Sequence, residues 1–489
     1  MANPQRQSEA LQALLPPALL LAAGAAVLAL APAQTVLLAV GAVIAFLVTF
    51  LNTELAIHLI IVAMLLSPEA VIGGAGLQIG KPAVKGPQAV FRLEDILLAI
   101  VGLSWLARTA LNKELGLFLR TPLNKPIAAY TVATVLATAA GVLGGTVNYV
   151  RGFFFALKYV EYFVLYFMMV NNLRDEAQIR RFLFTGFTTA VIAALVGIRQ
   201  IPSGERVAAP FEGKYGEPNT FGGYLLFMLA LVLALWLQSR TLPAFVGWIG
   251  MATLLAVPLL FTLSRASYLG AIPAALALLA LTDRKVWVAL PLAVAILGGS
   301  FVFPKQVQER VAYTYSAPAE PDQVQIGKTR LDSSTSARIE SFGLGLRGWL
   351  AKPILGWGVT GFPFMDAQYV RTLVETGIVG LASLLWLMTG LFRVGWQAFR
   401  APMDPFYRAL GMGYLAGFIG LLVHGLGSNT FIIVRIMEPF WFFTAIMVML
   451  PSLVGSQQDP PAGPHQTERP SRPTPLWAPA PIRRGRVWE

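Results

Sequence analysis

Apolar stretches of about 20 residues follow one another along almost the whole chain, and each could cross a bilayer as an α-helix. Only 13% of the 489 residues are charged, whereas a soluble domain carries about a quarter. Backbone groups in lipid need internal hydrogen bonds, and these stretches lack the alternating polarity of barrel strands. The sequence therefore predicts an all-α, polytopic integral membrane protein.

We predict about 12–14 transmembrane helices, because the first two stretches could merge or lie shallow in the membrane. We expect the first stretch to be a retained span rather than a signal peptide. The candidate spans are 11–31, 33–51, 54–72, 91–110, 126–146, 152–172, 180–200, 219–238, 243–263, 266–282, 286–303, 369–392, 406–427 and 431–453. They form a single membrane domain, 1–453. The segment 73–90 is predicted to be coil, and the Pro- and Arg-rich tail 454–489 is predicted to be disordered.

Basic residues in the short loops predict the orientation, because Lys and Arg concentrate on the cytoplasmic side. With these spans, five basic loops fall on one side; they contain Arg108, Lys113, Arg120, Lys125, Arg174, Arg180, Arg181, Arg240, Arg284, Lys285, Arg393, Arg400 and Arg408. Both termini are then cytoplasmic, and the long segment 304–369 lies on the extracytoplasmic face of the plasma (inner) membrane. The net charge of +12 follows this rule and does not indicate nucleic-acid binding.

The chain has no Cys and only three His residues, far apart in the sequence. Thiolate chemistry and Cys-ligated metals are excluded, and a His-rich metal site is disfavoured. We expect neither a metal nor a cofactor.

The long loop 304–369 carries seven basic and six acidic residues, so it is not a basic patch. Residues 333–353 are predicted to form an amphipathic helix that begins with a Ser or Thr cap at 333–336. Its apolar face, on the membrane surface or on the helical bundle, comprises Phe342, Leu346, Trp349 and Leu350. Arg338 lies in the first turn, where free N–H groups also favour an anion.

A Gly-rich segment, 353–362, follows this helix. Its glycines fit either a tight turn with positive φ angles or a loop that cradles phosphate.

Two carboxylates come next, Asp366 and Glu375, with Arg371 between them. Nine residues of helix separate the two acids by about two and a half turns, which is too far for a carboxylate pair. Asp366 could be a catalytic group or a helix N-cap. Glu375 could be catalytic, since ionisable groups in spans are costly, or it could pair structurally with an Arg from another span.

Arg265 lies on a short external turn, TLSRASYLG, between two spans. It could snorkel to the interface, or its planar guanidinium could bind phosphate in a bidentate manner. Other polar residues near the same face could bind substrate, although each could be structural: Arg199, Lys214, Glu217, Asn219, Tyr369, Arg371, His424 and Arg435.

Four segments in order, GEPNTFGGYLL, TLSRASYLG, SARIESFGLGLRGWLAKPILGWGVTGF and QYVRTLVETGIVGLASLLWL, resemble the O-antigen ligase and O-antigen polymerase family of membrane glycosyltransferases. The resemblance covers about 200–440. It implies metal-independent, inverting transfer of a glycan from undecaprenyl diphosphate on the outer face of the plasma membrane. The acceptor would be another lipid-linked glycan, lipid A–core, a protein or the wall, and other polysaccharide-assembly proteins are possible partners.

The resemblance assigns diphosphate binding to Arg265 and Arg338. The family usually has a His in an HN-x-YL pattern where this chain has Asp366 in DAQYV. We expect Asp366 to be the catalytic base, with Glu375 as the second candidate. The missing His favours a polymerase of O-antigen or exopolysaccharide over a ligase. A lipid-linked glycan flippase and a noncatalytic scaffold remain as alternatives of other classes.

Overall fold

The protein is described from a computed structural model. It covers residues 33–67, 69–73, 76–79, 91–111, 119–211, 216–298, 304–316, 323, 325–326, 329–330 and 332–454. Two compact units divide the chain: one contains Met1–Ala56 and Leu97–Leu115, and the other contains Ile57–Ile96 and Gly116–Glu489. Every site contact reported below lies within the second unit.

Almost all of the described secondary structure is helical. The helices are α1 (Ala33–Leu51), α2 (Thr53–Leu66), α3 (Leu93–Leu111), α4 (Asn124–Leu143), α5 (Tyr149–Lys158), α6 (Glu161–Asn172), α7 (Glu176–Gln200), α8 (Pro218–Leu237), α9 (Leu242–Phe261), α10 (Arg265–Leu281), α11 (Val286–Leu297), α12 (Lys305–Ser316), α13 (Ser333–Ala351), α14 (Gln368–Arg400), α15 (Pro405–His424) and α16 (Val434–Leu453). Short strands β1 (Glu69–Gly73), β2 (Gly76–Ile79) and β3 (Phe91–Arg92) form one antiparallel sheet in the order β2-β1-β3, and β4 (Gln325–Ile326) pairs with β5 (Thr329–Arg330).

Within the described residues, eight helices are long and apolar enough to cross a membrane, and three shorter helices are also apolar. The chain is thus an all-α polytopic membrane protein, as the sequence predicts. The span predicted at 11–31 lies outside the described residues, as does nearly all of the tail 454–489.

The helices α8, α15 and α16 form the core, since most of their residues are buried. Glycines allow the close approach that such packing needs. A Cβ at Gly270 would lie 2.6 Å from the Gly420 carbonyl oxygen, and one at Gly413 would lie 2.6 Å from the Leu231 Cα. By contrast, α9 leaves apolar side chains such as Leu242 and Val246 exposed, as expected of a helix that faces hydrocarbon.

Several predicted boundaries were wrong for local reasons. The span predicted at 54–72 ends as a helix at Leu66, and β1 begins three residues later, at Glu69. Part of the coil predicted at 73–90 is strand β2. The span predicted at 152–172 is confirmed as the candidate span Tyr149–Asn172, within which α5 and α6 meet at Tyr159 and Val160.

The span predicted at 369–392 continues to Arg400 and is broken near its start at Gly377. Gly377 has φ 65° and ψ −168°, a conformation that favours glycine. A Cβ there would lie 2.0 Å from the Ile354 carbonyl oxygen. The first nine residues of α14 are therefore a separate short helix that packs beside the Gly-rich segment.

The amphipathic helix predicted at 333–353 is α13, but only part of its predicted apolar face is packed, since Phe342 and Trp349 are half-buried. The helix contacts the protein through its glycines: a Cβ at Gly345 would meet Val370, and one at Gly348 would meet Phe362. Leu346 and Leu350 are exposed. The N-cap residue is Asp332 rather than a Ser or Thr.

Candidate functional site

The starts of α8 and α10 are joined by hydrogen bonds beside Arg265. Ser264 is the N-cap of α10, and its hydroxyl accepts from the Ser267 N–H at 3.3 Å. The same hydroxyl donates to Asn219 Oδ1 at 2.8 Å. Asn219, predicted as a substrate-binding residue, thus fixes the turn that presents Arg265.

Arg265 contacts the N-terminus of α13 through the two terminal nitrogens of its guanidinium. Its Nη1 donates to Asp332 Oδ1 at 2.8 Å and its Nη2 to Asp332 Oδ2 at 2.5 Å. Nη1 also donates to Thr335 Oγ1 at 2.8 Å. Burial raises the pKa of Asp332, but the hydrogen bonds from Arg265 and Thr335 outweigh it and lower that pKa to about 2. Asp332 is therefore an ionised partner that fixes the orientation of Arg265.

Arg338 lies in the first two turns of α13 and faces Asp366. Its Nη2 is 3.6 Å from Asp366 Oδ2, and both side chains are about a third exposed or less. Burial raises the pKa of Asp366, while the positive charge of Arg338 acts in the opposite direction. The predicted anion-binding Arg and the predicted base therefore meet at one end of the bundle.

Two further arginines, Arg206 and Arg310, lie close enough to Arg265 for their charges to interact with it, although the sequence analysis did not single them out. Arg206 donates from Nε to the Thr262 carbonyl at 3.0 Å and from Nη2 to the Leu263 carbonyl at 3.3 Å. Leu263 has a positive φ of 49°, so the turn directs two carbonyl groups at one guanidinium. Burial and the charge of Arg310 lower the pKa of Arg206 to about 10. Burial also lowers the pKa of Arg310, and Arg265 adds to that shift.

We call Arg206, Arg265, Arg310 and Arg338 the arginine cluster. Arg265 and Arg338 also contribute to the lowered pKa of Arg206 through their charges. Among the described residues, the carboxylates in contact with the cluster are Asp332 and Asp366. Counted over the described residues, four arginines face two carboxylates, and an excess of positive charge of this kind attracts an anion.

Asp366 is held from a second side by the turn between α15 and α16. Asn429 Nδ2 donates to the Met365 carbonyl at 3.0 Å and to Asp366 Oδ1 at 3.4 Å. The Tyr369 hydroxyl donates to the Leu422 carbonyl at 2.6 Å. Asp366 lies two residues before α14 begins and is not its N-cap, which is Ala367. The N-cap alternative for Asp366 was therefore wrong.

Glu375 lies apart from the arginine cluster in a buried polar network. Its Oε1 accepts from Arg371 Nε at 3.2 Å and from the Thr360 N–H at 3.1 Å, and its Oε2 accepts from the Tyr159 hydroxyl at 3.3 Å. Its side chain is only 4% exposed. The structural pair that the sequence allowed is present, but the Arg comes from the same helix. These contacts hold Glu375 beneath the Gly-rich segment.

The Gly-rich segment is a tight turn packed on the backbone of α14. Gly356, Gly358 and Thr360 all have positive φ angles, of 68°, 85° and 67°. The Gly358 N–H donates to the Glu375 carbonyl at 2.8 Å, and the Trp357 N–H donates to the Val374 carbonyl at 3.0 Å. The structure thus bears out the tight-turn prediction for this segment.

The other predicted substrate-binding residues are scattered around this end of the bundle. His424 is buried, and its Nδ1 lies 2.7 Å from Thr430 Oγ1. Arg435 is buried and donates to the carbonyls of Pro210 at 2.9 Å and Ser67 at 3.0 Å. Arg199 and Glu217 are exposed, at the end of α7 and the N-cap of α8. Lys214 lies outside the described residues.

Within the described part of the chain, no three His, Asp or Glu side chains converge as metal ligands would. No known family model matches the sequence, and no curated protein is similar enough to match it. The functional conclusion therefore rests on the residues and their contacts.

Proposed function

We propose that this protein is a membrane glycosyltransferase whose donor is a glycan linked to a polyprenyl diphosphate such as undecaprenyl diphosphate. We propose that it extends another lipid-linked glycan, as a polymerase of O-antigen or exopolysaccharide does. The observation that carries this proposal is the arginine cluster, in which four arginines face two carboxylates among the described residues.

The positive charge of the cluster suits such a donor. A diphosphate that bridges a sugar and a lipid carries two negative charges at neutral pH. Guanidinium groups bind phosphate oxygens in a bidentate manner and remain charged when partly buried. The lowered pKa of Arg206, about 10, still leaves that group protonated at neutral pH.

The same charge would promote the reaction. The bond from the anomeric carbon to the diphosphate oxygen breaks, and the diphosphate leaves with the electron pair. Fixed cations that meet this developing charge lower the barrier, typically by several kcal/mol (about 3 per group). Arg265 and Arg338 are the groups we assign to this role, supported by Arg206 and Arg310.

The acceptor hydroxyl needs a group that takes its proton. As the hydroxyl oxygen forms its bond to the anomeric carbon, we assign the proton to Asp366. Burial raises the pKa of Asp366, which makes its carboxylate a better base. Its side chain is 33% exposed, so an acceptor can reach it. A single displacement of this kind inverts the anomeric configuration and requires no metal.

We place this site on the extracytoplasmic side of the plasma membrane. The cluster lies at the end of the bundle where α8, α10 and α14 begin. The basic loops that the positive-inside rule assigns to the cytoplasm, including Arg180 and Arg408, lie where α7 and α15 begin.

A transfer assay tests the proposal. The purified protein in nanodiscs would receive a labelled undecaprenyl-diphosphate oligosaccharide, with Arg265→Ala, Arg338→Ala and Asp366→Asn beside the wild type. Arg180→Ala, an exposed arginine outside the cluster, is the matched control. Longer lipid-linked chains from the wild type and the control, but not from the three variants, would support a polymerase. Release of diphosphate only with a lipid or protein acceptor would indicate a ligase. Translocation of the donor without transfer would contradict the enzyme and indicate a flippase.

A further inference from the structure

Asn429 is a buried polar residue with an unusual set of partners. It lies in the turn between α15 and α16, and only 5% of it is exposed. Its amide group donates to the Met365 carbonyl at 3.0 Å and to the Asp366 carboxylate at 3.4 Å. Among the described residues, its Oδ1 has no hydrogen-bond partner. A buried acceptor without a partner is unfavourable, so stability alone does not account for this arrangement.

The orientation of the Asn429 amide follows from its neighbours. Rotating the amide by half a turn would direct Oδ1 at a carbonyl oxygen and a carboxylate oxygen, which would repel it. The NH₂ group must therefore face Asp366. The side chain serves as a donor to the carboxylate, and its own acceptor has no partner in the described part of the chain.

The backbone around Asn429 is fixed against the start of α14. The Phe431 N–H donates to Gln368 Oε1 at 2.9 Å, and the Gln368 N–H donates to the Gly425 carbonyl at 3.1 Å. The two ends of the turn are therefore tied to the residue that lies two positions after Asp366. The position of Asn429 is therefore set by these backbone contacts and not by the Asp366 carboxylate alone.

The two oxygens of Asp366 have different partners. Oδ1 faces the neutral amide of Asn429, and Oδ2 faces the cation of Arg338. The charged groups that act on this carboxylate are Arg338 of α13 and Arg371 of α14. Asn429 is thus a neutral donor that fixes one oxygen while the other lies beside the arginine cluster.

We propose that Asn429 is a positioning residue that orients the Asp366 carboxylate and keeps it ionised for proton transfer. This inference rests on the proposed function, in which Asp366 takes the proton of the acceptor hydroxyl. Loss of the Asn429 donor removes a hydrogen bond to the charged form. Asp366 would then become protonated at a higher pH. As the solution is acidified, activity would therefore begin to fall at a higher pH than in the wild type.

Titration of Asp366 in the purified protein tests the contact without needing turnover. Difference infrared spectra of wild type against Asp366→Asn isolate this carboxyl group, and the same subtraction is made in Asn429→Ala and Asn429→Asp backgrounds. We expect the midpoint to rise by about 0.5 to 1 pH unit in Asn429→Ala. We expect a larger rise in Asn429→Asp, which keeps the shape and adds a second acid. Thr430→Val, which loosens the same turn at its bond to His424, should leave the midpoint unchanged.

The acidic limb of the pH–rate profile for glycan transfer is measured on the same variants. In Asn429→Ala, we expect the pH at which the transfer rate falls to half to rise by the same amount as the infrared midpoint. Transfer by the wild type with no shift in Asn429→Ala, or an equal shift in Thr430→Val, would overturn the inference and leave the proposed function standing. A shifted midpoint in a protein that transfers no glycan would overturn both.

Discussion

The two ends of the helical bundle both carry arginines, but they use them differently. At the end where α7 and α15 begin, Arg180 is 55% exposed and pairs with Glu176 one turn away at 2.7 Å. Arg408 lies over the Phe399 ring and Arg400 over the Trp396 ring. Each of these arginines has a local partner on its own helix or on a neighbouring one.

At the other end, four arginines from separate segments of the chain converge. Arg265 and Arg338 have acidic partners, yet among the described residues the cluster has more arginines than carboxylates. Two of its members are buried enough for burial to lower their pKa. Convergence and burial, rather than the presence of arginine, distinguish a candidate anion site from arginines that have only local partners.

The largest difference between the ends is expected from removing a cluster arginine. Arg265→Ala or Arg338→Ala should lower the rate of glycan transfer by about 100- to 1,000-fold, because each removes a cation that meets the leaving diphosphate. Arg180→Ala should leave the rate unchanged and alter the free energy of unfolding by about 0–1 kcal/mol. Equal losses from Arg265→Ala and Arg180→Ala would remove the distinction between the ends.

Asp366→Asn is expected to have the next largest effect. It should lower the transfer rate by about 100-fold, because the acceptor hydroxyl loses its base. Burial raises the pKa of Asp366, so wild-type activity should fall as the pH drops through a value above the usual range of an aspartate. A pH–rate profile of the wild type checks this. An acidic limb that persists unchanged in the residual activity of Asp366→Asn would exclude Asp366 as the titrating group.

Arg206 and Arg310 should have smaller effects that appear mainly in donor binding. Arg206→Gln and Arg310→Gln each remove one charge from the cluster and should raise the KM for the donor by about tenfold. The rate at saturating donor should change less, because we assign the leaving group to Arg265 and Arg338. Initial rates over a range of donor concentrations separate the two parameters. A fall in the saturated rate with an unchanged KM would reverse this assignment.

Asp332 should make the stability of the fold depend on pH in the acidic range. Its pKa in the folded protein, about 2, lies below the ordinary value of 3.8. The ion pair with Arg265 therefore stabilises the fold fully above about pH 4, and this contribution is lost as the pH falls towards 2. Thermal unfolding in detergent should show this loss in the wild type but not in Asp332→Asn. Identical pH dependence in both proteins would contradict the lowered pKa.

The sequence predicted the bundle well where a long apolar run has polar or Pro residues at its ends. The span predicted at 219–238 is Pro218–Leu237, and that at 243–263 is Leu242–Phe261. Prediction was wrong where tertiary contact decides the backbone. The break at Gly377 depends on the close approach of Ile354, and no local pattern around Gly377 contains that contact.

The candidate site was only partly predictable for the same reason. Arg265 and Arg338 stood out because each lies at a helix start in a recognisable motif. Arg206 lies in irregular chain, and Arg310 lies in a polar helix of the long loop, so neither has a periodic or motif signal. Arg206 and Arg338 are more than 100 positions apart, so their grouping depends on tertiary contacts such as that of Arg265 with Asp332. The contact of Asn429 with Asp366 could not be predicted either, since the two residues are 63 positions apart in the sequence.

The most direct test of the arginine cluster is the binding of undecaprenyl diphosphate, without a glycan, to the purified protein in nanodiscs. Undecaprenyl monophosphate serves as the ligand of lower charge, and a variant with all four arginines changed to Gln is compared with Arg180→Gln. If the cluster is a diphosphate site, the wild type and Arg180→Gln will bind the diphosphate at least about tenfold more tightly than the monophosphate, and the quadruple variant will lose this preference. Equal affinity of the wild type and the quadruple variant for the diphosphate would contradict it.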